Sequence, residues 1–122
     1  MTVVRGIRGA ITAERDEPEA ILEATERLLR AIMERNPFAL EDVASALFTV
    51  TPDLRAEFPA AAARRLGWTN IPLLNFTEVP VPGRLARCIR ILIHINTTLR
   101  QDQIVHVYLD GAVVLRPDLT HQ

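Results

Sequence analysis

The sequence contains no lysine, a single cysteine and no apolar run of membrane-spanning length. All fourteen basic residues are arginine, so Schiff-base chemistry on a lysine amine is excluded. Cys88 is the only cysteine, which excludes an intrachain disulfide and argues against a structural zinc site. The apolar stretches fall short of the roughly 18 residues that cross a bilayer, and the N-terminus lacks the apolar core of a signal peptide. We therefore expect a cytoplasmic protein with no membrane partner.

The chain also lacks an excess of either charge. Its fourteen arginines are balanced by fifteen acidic residues, which gives a formal net charge of −1. Because nucleic-acid binding relies on a basic field that neutralises phosphates, we expect no nucleic-acid partner. Arginine does present a planar fork of donors that matches a carboxylate at two points. Genome composition or selection for heat resistance is the first explanation of the arginine-only usage, and the chain is in addition well supplied for binding small carboxylic acids.

The first third of the chain predicts one strand and one long helix. With 122 residues, of which 48% are hydrophobic, the chain is expected to form a single domain over residues 1–122. Alternation of β-branched residues predicts a strand over residues 2–12. Asp16 followed by Glu19 is a capping-box pattern, and apolar residues then recur at helical spacing until Asn36. This helix is expected to present one apolar face to a sheet.

The middle of the chain predicts two further strands and a short helix. Residues 42–52 and 70–79 are β-prone, and between them a helix is expected after Pro59, ending at Gly67. Strands and helices mix without a strict βαβ repeat. We therefore expect an α+β fold in which helices pack on a mixed β-sheet.

Residues 88–97 carry the strongest strand signal. Isoleucine occupies every second position, so one face of this strand is expected to lie in the core. The opposite face then carries Arg90 and His94 towards water or a polar cavity. The isoleucines of the apolar face are Ile89, Ile91, Ile93 and Ile95.

The C-terminal segment predicts a strand followed by a turn. His106 and Tyr108 fall on one face of that strand, and Asp110 with the following glycine is suited to a hairpin. A short apolar return is expected to end at Arg116. The polar residues 118–122 are expected to be mobile.

The sequence offers no established catalytic motif. It has no glycine-rich phosphate loop, no nucleophile elbow and no zinc-protease motif, and the histidines lack the spacing of metal ligands. We therefore expect no metal or other cofactor. Arginines on strands remain, together with Tyr108 and with Glu78 next to a turn. On these residues alone, the pattern indicates a site for a small carboxylate.

Four stretches carry a family resemblance. They are RGIRGAIT at residues 5–12, TPDLRAEFPAAAARRLGW at 51–68, CIRILIHINT at 88–97 and QDQIVHVYLDGAVVLRPDL at 101–119. In order and spacing they resemble the monofunctional bacterial chorismate mutases of the trimeric α/β class. The resemblance implies a barrel-like homotrimer of chorismate-mutase fold with active sites between neighbouring subunits. It also implies conversion of chorismate to prephenate, in the biosynthesis of phenylalanine and tyrosine.

The same resemblance implies roles for individual residues. Arg90 matches the arginine that contacts the breaking ether oxygen, and Arg8 with Tyr108 matches the pair that holds a substrate carboxylate. Glu78 matches the acid that accepts a hydrogen bond from the ring hydroxyl. Positions that match the walls and mouth of the cleft are Phe58, Ala60, Arg64, Leu73, Leu74, Leu115 and Arg116, and Asn75 is expected to bind substrate although it departs from the family.

One position departs from a known member of the family, which has Thr-Cys where this chain has Leu74-Asn75. A thiol contact to the substrate hydroxyl is therefore absent. Asn75 offers a donor in its place, through either its side-chain amide or its backbone.

The reaction implied by the resemblance agrees with the missing motifs. A Claisen rearrangement breaks one C–O bond and forms one C–C bond within a single molecule, and no proton need move. Arginine suits a dicarboxylate that must be held folded while negative charge develops on the ether oxygen.

Two other functions stay open on the sequence. One is a trimeric enzyme like the enamine/imine deaminases, which also place an arginine against a substrate carboxylate. The other is a trimer that binds an aromatic-pathway metabolite without turnover.

Overall fold

A five-stranded mixed sheet organises the chain in the computed structural model, which describes residues 1–116. The expectation about residues 118–122 lies outside this part of the chain. The strands are β1 (Val3–Thr12), β2 (Val43–Val50), β3 (Leu73–Thr77), β4 (Cys88–Thr97) and β5 (Val107–Tyr108), and the helices are α1 (Pro18–Arg35) and α2 (Ala60–Arg65). Short 3₁₀ helices cover Leu40–Asp42, Gln101–Gln103 and Asp110–Leu115. The predicted α+β class is confirmed.

The isoleucine-rich strand β4 lies at the centre of the sheet, whose order is β3-β2-β4-β1-β5. It pairs antiparallel with β1 on one side and with β2 on the other. The outer strands are parallel to their neighbours, β3 to β2 and β5 to β1. Because β4 is paired with a strand on each side, neither of its edges is exposed to water. This position agrees with its isoleucine-rich composition.

One face of the sheet, which we call the covered face, packs against α1 and forms the core. All four β4 isoleucines on it are at most 3% exposed, and they join Leu28 and Ile32 of α1 in one cluster. Gly9 lies beneath the helix. A Cβ added there would come within 2.8 Å of Ile32 Cδ1 and 3.0 Å of Ile91 Cγ2. Glycine therefore allows this close approach of helix and sheet.

The predicted capping box at the start of α1 is wrong. The residue before the helix is Glu17, and no side chain caps the first turn. Asp16 instead accepts hydrogen bonds from the backbone N–H groups of Arg55 and Ala56, at 2.8 and 2.9 Å. The carboxylate is thus used to fix the loop before α2, and Pro18 in the first helical turn needs no N–H partner.

The predicted hairpin after β5 is also wrong. The chain enters a 3₁₀ helix over Asp110–Leu115 instead of returning as a strand. Asp110 has a φ of +52° and is held by Arg27, whose two terminal nitrogens lie 2.7 and 3.1 Å from its carboxylate oxygens. The N–H of Gly111 donates to Thr12 Oγ1 at 2.9 Å. These contacts with α1 and β1 override the local turn preference.

The other predicted strands and helices are present, including the short helix α2, which ends at Arg65 and is followed by Gly67 with a φ of +93°. Among the described helices, none has the length and apolar character needed to cross a membrane.

Candidate active site

Arg90 lies at the centre of the sheet face opposite α1, which we call the open face. In the register of the sheet it stands between Ala10 of β1 and Thr49 of β2. One step outward in the same row are Tyr108 of β5 and Phe76 of β3. Five strands therefore contribute one row of side chains that crosses the sheet through this arginine.

Glu78 follows β3 directly and is brought against Arg90. Its backbone N–H donates to the carbonyl of Val50 at 2.9 Å, which extends the pairing of β2 and β3 by one residue. Its carboxylate lies 3.1 Å from Arg90 Nε and accepts a hydrogen bond from Thr49 Oγ1 at 2.7 Å. The carboxylate thus contacts the guanidinium through Nε.

The two partners differ in exposure. The Glu78 side chain is 18% exposed, whereas that of Arg90 is 47% exposed. The acid is therefore largely shielded beneath the arginine, and the arginine presents its outer edge to solvent. Such an edge is suited to bind an anionic or electron-rich oxygen at two points.

A cavity of about 900 Å³ opens on one side of Arg90. Its volume lies in the range that accommodates a small organic molecule. Both acidic and basic groups face it, and Leu115 contributes to its apolar wall. The charged lining residues are Asp53, Glu78, Arg84 and Arg90.

A second cavity, of about 280 Å³, opens on the other side of Arg90. Arg8 and Tyr108 line it together with Arg90, and Phe76 forms part of the wall. Arg8 stands opposite Leu92 in the register and Tyr108 stands opposite Ala10. The structure thus brings three of the four predicted catalytic residues to one cavity and joins the fourth, Glu78, to them through Arg90.

Phe58 and Asn75 line a third cavity, of about 310 Å³, and neither lines the two cavities at Arg90. Asn75 Oδ1 accepts a hydrogen bond from the backbone N–H of Ala60 at 3.0 Å. This contact ties β3 to the start of α2 and occupies the oxygen of the Asn75 amide. Its NH₂ group is the part of that side chain with donors to offer.

The remaining predicted positions are spread around these cavities. Ala60 is fully buried in the core, Leu73 is half-buried beside it, and Arg64 is exposed on α2. Leu74 is 57% exposed and stands beside Leu47 on the open face. Leu115 and Arg116 are both half-buried, at the end of the described chain.

Sequence reasoning missed the hydroxyl of Thr49, which contacts Glu78. Alternation alone would place this residue on a face of β2, but its contact depends on the register between β2 and β4. No local signal carries that register. Asp53 and Arg84, which line the larger cavity, come from loops. Their position at the site depends on the tertiary fold and has no local signal in the sequence.

Cys88 lies beside the site but is closed off from it. Its side chain is fully buried among Ala10, Ala112, Tyr108 and Leu115. Burial raises the pKa of the thiol to about 11, although the positive charge of Arg90 acts in the opposite direction. Cys88 is therefore a protonated packing residue at neutral pH and not a nucleophile.

Metal ligands are not clustered in this part of the molecule. Among residues 1–116, no three side chains of histidine, cysteine, aspartate or glutamate are grouped so as to hold a metal ion. The groups that the site offers to a ligand are thus arginine donors, a phenol, a carboxylate and apolar walls.

Comparison with known proteins gives consistent matches. The family model described as chorismate mutase type I matches residues 4–119. Chorismate mutase AroH of Thermus thermophilus is 55% identical over 118 residues, covering 96% of this chain and 97% of the relative. Chorismate mutase AroH of Bacillus subtilis is 50% identical over 119 residues, covering 97% and 94%. A solved structure of a chorismate mutase from Clostridium thermocellum superposes with a TM-score of 0.88 at 45% identity, covering 89% of this chain and 97% of that one.

Proposed function

The chain belongs to the type I chorismate mutase family and converts chorismate to prephenate, and on that premise we propose that the reaction takes place on the open face, around Arg90. It is an isomerase of aromatic amino acid biosynthesis. The observation that carries the proposal is the placement of Arg90 between two cavities, with its Nε held by Glu78. The same comparisons favour this reaction over an imine deaminase or a metabolite-binding trimer.

Arg90 supplies the electrostatic part of the catalysis. As the C–O bond of chorismate stretches ahead of C–C bond formation, negative charge gathers on the ether oxygen. A fixed cation at that oxygen stabilises the transition state more than the ground state. The ion pair with Glu78 holds the guanidinium in place before the substrate arrives, so little reorganisation is needed during the reaction.

Arg8 and Tyr108 supply part of the orientation. Both line the smaller cavity with Arg90, and an arginine with a phenol is suited to hold one carboxylate of the substrate. Holding the side chain of chorismate folded over its ring converts a rare conformer into the bound one. Glu78 accepts the hydrogen bond of the ring hydroxyl through the carboxylate that also contacts Arg90 and Thr49.

The open face is completed by neighbouring copies in a homotrimer. Phe58, Leu74 and Phe76 are 63%, 57% and 46% exposed in the isolated chain, which is unusual for large apolar side chains grouped near a site. Phe58 and Asn75 also line a cavity separate from the one at Arg8 and Tyr108. We propose that the Phe58 region of one subunit, with Arg64, closes over the Arg90 region of the next.

Residues 1–122 form one domain, and the protein acts in the cytoplasm on free chorismate, without nucleic acid or membrane. No cofactor enters the reaction, because the rearrangement requires neither proton transfer nor electron transfer. Leu115, near the end of the described chain, lines the larger cavity.

The test of this function is the loss of chorismate absorbance with purified protein, followed by acid conversion of the product to phenylpyruvate. Arg90→Ala is expected to abolish the loss. Arg100→Ala is the matched control, because Arg100 is an exposed arginine paired with Asp102 away from the cavities at Arg90. Ammonia release from an imino acid, or chorismate binding without turnover, would overturn the proposal.

A further inference from the structure

The parallel backbone pairing of β1 with β5 stops at Gly9. At Arg8, the preceding residue, the ring of His106 accepts the next hydrogen bond. Gly9 pairs with Val107 and Ala10 with Tyr108, but the backbone N–H of Arg8 donates to His106 Nδ1 at 3.0 Å. A side chain therefore takes the place that a backbone carbonyl of the neighbouring strand would take. This ring adds a hydrogen bond between the segment that carries Arg8 and the segment that carries Tyr108, beyond the two backbone pairs.

No backbone carbonyl accepts from Arg8 at this point, because the carbonyl of Val105 already accepts a hydrogen bond from Asn36. Asn36, which is 2% exposed, donates from Nδ2 to the carbonyl of Val105 at 2.9 Å and accepts from its N–H at 2.8 Å. Its Nδ2 also donates to the carbonyl of Ile32 at 3.0 Å. The backbone before His106 is thus tied to the end of α1, and the ring is left to satisfy Arg8.

This contact requires a neutral imidazole. Nδ1 accepts the hydrogen bond, so it carries no proton, and the neutral ring has its proton on Nε2. Protonation would place an N–H group of the ring against the N–H of Arg8. The positive charges of Arg8 in β1 and of Arg116, which follows the last 3₁₀ helix, disfavour a positive charge on the His106 ring and so favour its neutral form. Arg5 of β1 lines the same cavity of about 300 Å³.

The surroundings act on the ring in the same direction. Burial lowers the pKa of His106, and the positive charges of Arg8 and Arg116 lower it further. The ring is therefore neutral at pH 7 and becomes charged only below its ordinary range. The lone pair that Arg8 needs is available under physiological conditions.

We propose that His106 is a positioning residue, whose neutral ring locks β1 to β5 so that Arg8 and Tyr108 meet the same substrate carboxylate. The proposal rests on the proposed function of this pair. Protonation of His106 breaks the lock, and the first effect is on carboxylate binding. KM therefore rises as the pH falls through the titration of the ring, whereas kcat, which depends on Arg90, changes less.

Two substitutions separate the hydrogen bond from the rest of the ring. His106→Asn keeps an acceptor near the position of Nδ1 but does not titrate, so KM is expected to stay near the wild-type value and to show no rise from this residue at acid pH. His106→Phe keeps the ring size but removes the acceptor, so KM is expected to be several-fold higher and equally flat with pH. His94→Asn is the control, because His94 contacts Ser45 and not Arg8.

The experiment measures kcat and KM for chorismate between pH 5 and 8 in the four proteins, together with ¹⁵N NMR of the histidine rings without substrate. The expected result is an acid rise in KM for wild type and His94→Asn alone, and an Nε2–H tautomer for His106. The same rise in His106→Asn, or an Nδ1–H tautomer, would overturn the positioning role. Absence of chorismate conversion by wild type would instead contradict the proposed function, and the NMR result would still test the contact.

Discussion

The two faces of strand β4 carry side chains of opposite character on the same ten residues. On the covered face, isoleucines pack against α1 and are almost wholly removed from water. On the open face, Arg90 and His94 alternate with Leu92, and Arg90 extends between two cavities. The apolar core and the proposed catalytic site are thus separated by the two-residue period of a strand. A shift of one residue in register would exchange the two faces, so the isoleucines also fix where the arginine points.

The two faces are also held by different kinds of contact. The covered face is held by the apolar contacts of one buried cluster. The open face depends on a few directed contacts, from Glu78 to Arg90, from Thr49 to Glu78 and from Arg8 to His106. Substitutions on the first face should change the free energy of unfolding, and those on the second should change turnover.

Arg90→Ala is expected to have the largest effect on turnover. Loss of one preorganised donor costs roughly 3 to 4 kcal/mol of transition-state stabilisation, and loss of a full charge should cost at least that much. We therefore expect kcat to fall by about 10³-fold or more, with an unchanged far-UV circular dichroism spectrum. Arg90→Lys should recover little, because an ammonium group lacks the planar fork. Near-normal turnover in Arg90→Ala would contradict the assignment of catalysis to the open face.

Ile93→Ala tests the covered face. Ile93 is fully buried, so removal of its side chain should lower the free energy of unfolding by about 2 to 5 kcal/mol. The measurement is urea denaturation at fixed protein concentration. The kcat of the folded protein should stay within a few-fold of wild type. Val4→Ala is the control, since Val4 is exposed, and an equal loss of stability there would argue against the assignment.

Cys88→Ala tests whether the last 3₁₀ helix, Asp110–Leu115, shields the Cys88 thiol from water at the edge of the open face. The thiol pKa is raised from 9.0 to about 11 by burial, so between these values the unfolded chain loses a proton that the folded chain keeps. The free energy of unfolding should therefore fall with rising pH in this window, by about 2 to 3 kcal/mol in total. Cys88→Ala should lack this part of the fall. Identical pH profiles for the two proteins would show that the thiol is accessible.

Much of the fold follows from local sequence patterns. The alternation in residues 88–97 predicts both faces of β4, because side-chain direction in a strand repeats every two residues. The helix α1 follows from its apolar spacing, and Gly67 marks the end of α2 by its conformation. Each of these signals lies within a few consecutive residues.

The incorrect predictions concern residues whose partners are distant in the chain. Asp16 resembles a helix cap, but its carboxylate binds the backbone at Arg55 and Ala56. Asp110 with its following glycine resembles a hairpin turn, but Arg27 and Thr12 hold that segment in a 3₁₀ helix. In both cases a tertiary hydrogen bond outweighs a local preference that is worth about 1 kcal/mol.

The site was predicted from resemblance and not from pattern. Alternation places Arg90 on a polar face, but the approach of Glu78 and Thr49 depends on the register of three strands. Likewise, the proposed role of His106 depends on the hydrogen bonds of Asn36 to the backbone of Val105. Single-sequence reasoning has no access to such pairings.

The most direct test of the central claim, that the open face is one half of a site completed by a second copy, is subunit complementation. Arg90→Ala disables one half, and the double variant Phe58→Ala/Arg64→Ala disables the other. Each protein alone should convert chorismate very slowly. After mixing in equal amounts, unfolding and refolding together, about a quarter of the subunit interfaces should contain two intact halves. We therefore predict recovery of about a quarter of the wild-type activity, whereas activity no higher than the mean of the two parents would contradict a site shared between subunits.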